Sequence, residues 1–217
     1  MQSTGSFKSA TSADFVTDVE CAIAYLTSRK EVNKTKIDLI GHNEGAILAA
    51  LVAANCVDVA FMMMLAGAGL KASQAIVRQE EMMSKALGIS EAQILHSTRD
   101  KAKAYSLIVQ AKDQTVLKTQ LSNYLKQYAG SITRMVPEGR SREQVVSAKL
   151  DEWTSPCFQY LIALTLVNVR YPFLALNGSK DLQVSAKENL ATIATATQKG
   201  GNKQVTTKEL SNLNHFF

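Results

Sequence analysis

The chain has 217 residues, 46% of them apolar and 20% charged, with a formal net charge of +5. These values suit one sizeable core, or a core with a small subdomain, and exclude collagen-like or disordered chains. A charge this mild favours solubility rather than nucleic-acid binding.

No run approaches the ~18 consecutive apolar residues of a membrane span. The opening MQSTGSFKSATS is polar and unlike a secretory signal. Cys21, Cys56 and Cys157 lie far apart and form no CxxC pair, which argues against a zinc site or a disulfide framework. A reducing, cytoplasmic compartment is the natural expectation.

From Ser12 to Lys30, Phe15, Val19, Ala22, Ile23 and Leu26 recur at helical spacing. Thr11 and Asp14 precede and open that run as a capping box. KIDLIG, Lys36 to Gly41, reads as a short apolar strand. Glu44 to Asn55 is rich in alanine and leucine and reads as a buried helix. Val57 to Ala66 is a second strand, apolar on both faces as inside a parallel sheet, with Met62, Met63 and Met64 filling core space.

Beyond Gly69 the texture becomes helical, in three runs that begin at Ala72, Ser90 and Thr115. Pro137 and Pro156 punctuate this stretch. Tyr171 to Asn177 then reads as a third strand, Ser185 to Gln198 as a helix, and Lys203 to Leu210 as a fourth strand. Strands alternating with helices predict an α/β fold with a parallel sheet of about four strands. The expected organisation is a core of residues 1–68 and 170–217 with a helical cap, 69–169, inserted over the C-terminal edge of the sheet.

The motif that carries chemistry is GHNEGA, Gly41 to Ala46, between the first strand and the next helix. A strand ending in G-x-(nucleophile)-x-G and running into a helix is a nucleophile elbow. Its central residue adopts a left-handed conformation, and Gly41 and Gly45 are expected to avoid collisions with the neighbouring strand and helix. Asn43 occupies the centre. Asparagine tolerates positive φ, but a neutral carboxamide has no proton that a histidine could readily remove.

GHNEGA, the later LALNGSKDLQV and the terminal ELSNLNH together resemble bacterial α/β-hydrolases of the serine-aminopeptidase and dienelactone-hydrolase-like group. The resemblance runs over nearly the whole chain, including the cap-closing segment DEWTSPCFQYLI. It implies a partial α/β-hydrolase fold and acyl transfer through a serine, an aspartate and a histidine, in that order. On this sequence those places fall to Asn43, Asp181 and His215. The amide of Glu44 would be an oxyanion-hole donor. The family places a segment resembling RGxGxSTGxF before the first helix, whereas this sequence begins MQSTGSF, inside that motif. The upstream strands, and the loop that gives the second oxyanion amide, are therefore expected to be missing, and losing one such donor costs on the order of 10²–10³ in rate. With an upstream neighbour missing, the edge carrying Ile37, Leu39 and Ile40 is expected to be bare and to promote self-association.

The resemblance implies a small acyl ester, thioester or peptide-like ligand, and the motifs the sequence lacks lead us to expect no cofactor, no metal, no nucleic acid and no membrane. Asn43 makes an impaired hydrolase the favoured expectation, with a non-catalytic ligand-binding protein on the same scaffold as the alternative. His42 is expected to pack or hydrogen-bond beside the elbow, His96 to be a surface or packing histidine, and Cys157 to be a buried inert thiol. From Arg99 to Lys149 ten Lys or Arg face four Asp or Glu, without aromatic interleaving, as on a solvated helical face.

Overall fold

In a computed structural model, residues 10–55, 59–110, 113–127, 144 and 162–217 are described. The N-terminal motif, Cys56, Cys157 and the cap-closing segment expected from the sequence lie outside them. The chain divides into two compact units, Met1–Lys71 with Leu161–Phe217, and Ala72–Tyr160.

In the first unit α1 is Ser12–Ser28, β1 Asp38–His42, α2 Glu44–Asn55 and β2 Phe61–Leu65. The second unit then intervenes before α6, Ile162–Leu166, β3, Phe173–Gly178, α7, Ala186–Lys199, and β4, Val205–Leu210. The strands form one parallel sheet in the order β1-β2-β3-β4. This is the α/β architecture that the alternation of strand and helix predicts.

The capping box of α1 forms as its sequence dictates. Thr11 accepts from the Asp14 amide, and the Asp14 carboxylate accepts from the Thr11 amide at 2.7 Å. The Thr11 hydroxyl also donates to the Asp14 carboxylate at 2.7 Å, and this bond first, then the one from the Thr11 amide, holds the Asp14 carboxyl below its ordinary value.

Side chains alternate across a strand, so the sheet has two distinct faces. Met62, Met64, Phe173, Ala175 and Asn177 are buried on the face that Gly41 presents to α2. Ala46, Ala49, Ala50, Val52 and Ala53 of α2 are also buried. Small residues let α2 lie close to the strands. On the opposite face Phe61, Met63 and Leu65 are only half-buried, and Ile40 is 65% exposed. The expectation of a strand buried on both faces is thus corrected for β2. An apolar residue at every position hides the period of two that would have told the faces apart.

The second unit contains α3, Ala72–Ala86, α4, Glu91–Gln110, and α5, Gln114–Gln127. Gly88, at φ 74, ends α3 in the left-handed cap that glycine favours. Asp113 Oδ1 accepts the amides of Thr115 and Val116 at the start of α5. Ile94, Leu117 and Leu121 are buried, whereas His96 is exposed. Among the described residues no helix is long and apolar enough to cross a membrane.

Candidate active site

β1 stops because Asn43 turns left. Its φ is 52, and α2 begins at the next residue. The amide of Asn43 donates to the Leu65 carbonyl at 2.9 Å, tying the turn to the end of β2, and its carbonyl accepts from Ala46 at 3.1 Å. A Cβ on Gly41 would lie 2.1 Å from the Gly45 carbonyl oxygen, so only glycine fits there. Gly45 differs: among the described residues a Cβ there would have nothing within 4 Å. Among the described residues, the steric need for glycine expected on both sides is therefore seen at Gly41 and not at Gly45. The side chain of Glu44 is exposed and accepts a long hydrogen bond, 3.5 Å, from Ser12 Oγ.

The register aligns His42, Leu65, Leu176 and Lys208 in one row. Segments following β1, β3 and β4 consequently leave from one edge of the sheet. After β3 a tight turn delivers Asp181, whose amide donates to the Gly178 carbonyl at 3.1 Å. Asp181 is 4% exposed, and its carboxylate receives four donors. Oδ1 accepts the amides of Gln183 and Val184 at 2.8 and 2.9 Å. Oδ2 accepts Asn177 Nδ2 at 3.1 Å and His215 Nδ1 at 2.9 Å. This set of donors is what makes a buried carboxylate tolerable.

After β4 the chain folds back over the β3 turn. Lys180 donates its amide to the Leu213 carbonyl at 2.9 Å, and the Asn212 amide donates to Ser179 Oγ at 2.9 Å. A Cβ on Gly178 would lie 2.3 Å from the Leu213 carbonyl oxygen, so this crossing requires glycine. His215 follows, buried at 4% exposure. Its partner Oδ2 only accepts, so Nδ1 carries the hydrogen and Nε2 keeps the lone pair.

His42 meets the same histidine from the elbow side. Its Nε2 donates to the His215 carbonyl at 2.8 Å, and the two ring centroids are 4.7 Å apart. The Phe216 ring lies 5.2 Å from that of His215, nearly edge-on. The structure thus brings Asp181 and His215 into direct contact and joins them to His42, the residue preceding Asn43. Sequence reasoning missed Asn177. Its only signal was a lone polar residue in the otherwise apolar run LALN.

A family described as BAAT / acyl-CoA thioester hydrolase C terminal matches residues 19–142 of the chain. The chain belongs to this family. The match by this acyl-CoA thioester hydrolase C-terminal family includes the turn at Asn43 and ends before Asp181 and His215. No curated protein matches significantly. Among solved structures, an esterase from Pyrococcus furiosus aligns with a TM-score of 0.52 at 11% identity, over 98% of this chain and 58% of the esterase. An acylaminoacyl peptidase from Pyrococcus horikoshii aligns with a TM-score of 0.51 at 10% identity, over 94% of this chain and 24% of the peptidase. At such identities the likeness establishes the α/β-hydrolase fold, and the chain spans just over half the length of the esterase.

Proposed function

We propose that the chain carries an acyl-hydrolase site of the Ser-Asp-His type whose nucleophile position is held by Asn43, and that it binds an acyl ester or thioester with little or no turnover. The observation that carries this reading is the buried Asp181–His215 pair, 2.9 Å apart, at the sheet edge where Asn43 makes its left-handed turn. In this reading Asp181 holds the imidazole with its hydrogen on Nδ1, and Nε2 is the general base. The amide of Glu44, at the head of α2, is the oxyanion donor, aided by the positive end of the helix. What the site lacks is an attacking atom, since a carboxamide yields no alkoxide.

Restoring the hydroxyl tests this. Asn43→Ser should become stoichiometrically labelled at residue 43 by a fluorophosphonate and should hydrolyse small activated acyl esters and thioesters, while the native chain stays unlabelled. A folded Asn43→Ser chain that is inert to both would overturn the reading. Labelling of the native chain would overturn the claim of an impaired site.

Self-association through the outer edge of β1 belongs to the same reading. Among the described residues β1 pairs with β2 alone, and Ile40 beside that edge is 65% exposed. Sedimentation should show a concentration-dependent dimer. A monomer throughout the micromolar range would exclude it.

A further inference from the structure

Asn177 is fully buried at the end of β3, and its surroundings fix its orientation. Nδ2 donates to Asp181 Oδ2 at 3.1 Å and to the Val184 carbonyl at 2.9 Å. Turning the amide over would set its oxygen against a carboxylate and a carbonyl, two acceptors, so the assignment follows from the chemistry. The amide oxygen, Oδ1, has no hydrogen-bond partner among the described residues. An unmet buried acceptor is costly. An aliphatic side chain, as at the neighbouring positions of β3, would avoid that cost and lose both donations.

The oxygen that Asn177 holds is the one that meets His215 Nδ1 at 2.9 Å. The amides of Gln183 and Val184 fix the other oxygen. We propose that Asn177 is a positioning residue for His215. By donating to Asp181 Oδ2 it keeps that oxygen in the plane and direction where it meets Nδ1–H, which leaves Nε2 as the basic nitrogen. The same amide, through the Val184 carbonyl, ties the turn that carries Asp181 to the strand it leaves. Asn177 acts only through Asp181. The proposal rests on the reading of Asp181 and His215 as the base pair of an acyl-hydrolase site, but its direct effect, on a tautomer, is measurable without chemistry.

The test uses the full chain with ¹⁵N-labelled histidine, well above the ordinary imidazole titration range. The native chain should hold His215 predominantly as the Nδ1–H tautomer. Asn177→Ala and Asn177→Leu should shift it towards Nε2–H, while His42, bonded to a carbonyl, keeps its own tautomer. In the Asn43→Ser background, Asn177→Ala should slow fluorophosphonate labelling about tenfold, the effect expected from one charge-assisted hydrogen bond. Folded variants with an unchanged His215 tautomer and unchanged labelling would overturn the proposal.

If neither variant folds, the native chain still decides. The Asn177 side-chain amide protons should move in step with the His215 ring resonances during a pH titration, and their immobility would refute the coupling. If Asn43→Ser itself resists labelling, the acyl-hydrolase reading fails, and the tautomer measurement still tests the role of Asn177 separately.

Discussion

The Nε2–H of His42 is bonded to the backbone carbonyl of His215, not to its ring, with the two rings 4.7 Å apart and tilted by 56°. His42 thus anchors the loop that carries His215. Replacing His42 by leucine should cost about 1 kcal/mol, the net worth of one hydrogen bond. It should also speed amide exchange at Lys180, which donates to Leu213 in the same loop. Unfolding in urea and hydrogen exchange give the two readouts. Unchanged exchange at Lys180 would show that the loop holds without His42.

The left-handed backbone at residue 43 makes a second prediction. Asn43→Gly should leave stability nearly unchanged, whereas Asn43→Val should lower it by about 1–2 kcal/mol, because a branched Cβ is strained at a φ of 52. Equal urea midpoints for the two variants would contradict the turn geometry.

Two glycines should respond in opposite directions. Gly178→Ala places a methyl 2.3 Å from the Leu213 carbonyl oxygen and should destabilise the fold by about 1–3 kcal/mol while shifting the His215 ring resonances. Gly45→Ala lies in α2 with open space around the added carbon, and should raise stability by about 0.5–1 kcal/mol through helix propensity. Thermal unfolding of both variants against the native chain decides.

In α3 the Glu81 carboxyl is held below its ordinary value, chiefly by hydrogen bonding to Lys85 and then to Arg78. A depressed carboxyl contributes stability that is complete above its unfolded pKa and is lost as pH falls through the folded one. Glu81 is partly exposed, so the effect is small and screened by salt. Glu81→Gln should therefore lower stability slightly at neutral pH and low salt and flatten the acid limb, the two stability–pH curves meeting at low pH. An identical acid limb in both chains would show that this ion pair contributes nothing to acid stability.

Much of the scaffold was legible because it is written in short-range chemistry. The capping box of Thr11 and Asp14, the glycine at position 41 before the left-handed turn and the alternation of apolar strands with helices each depend on residues a few places apart. That Asp181 and His215 would meet was equally readable. Other features depend on contacts made only in three dimensions. Asn177 looked like a strand terminus, and nothing in LALNGSKD revealed that its amide reaches the same carboxylate oxygen as His215. Gly178 is required by a chain segment that arrives only after β4. Gly45 was assigned the same steric duty as Gly41, and among the described residues nothing lies where its Cβ would go. The two faces of β2 could not be told apart in a run with no polar residue to mark the outer one.

The pairing of Met62 with Phe173 closes the sheet across the entire Ala72–Tyr160 unit. Such a closure is entropically slow, whereas the helix pairs of that unit are local. The time course of refolding follows: helical ellipticity should recover first, β2 should find β3 later, and the environments of Asp181 and His215 should mature last. An agent that traps the chain before that closure would leave it largely helical and without its histidine–aspartate contact.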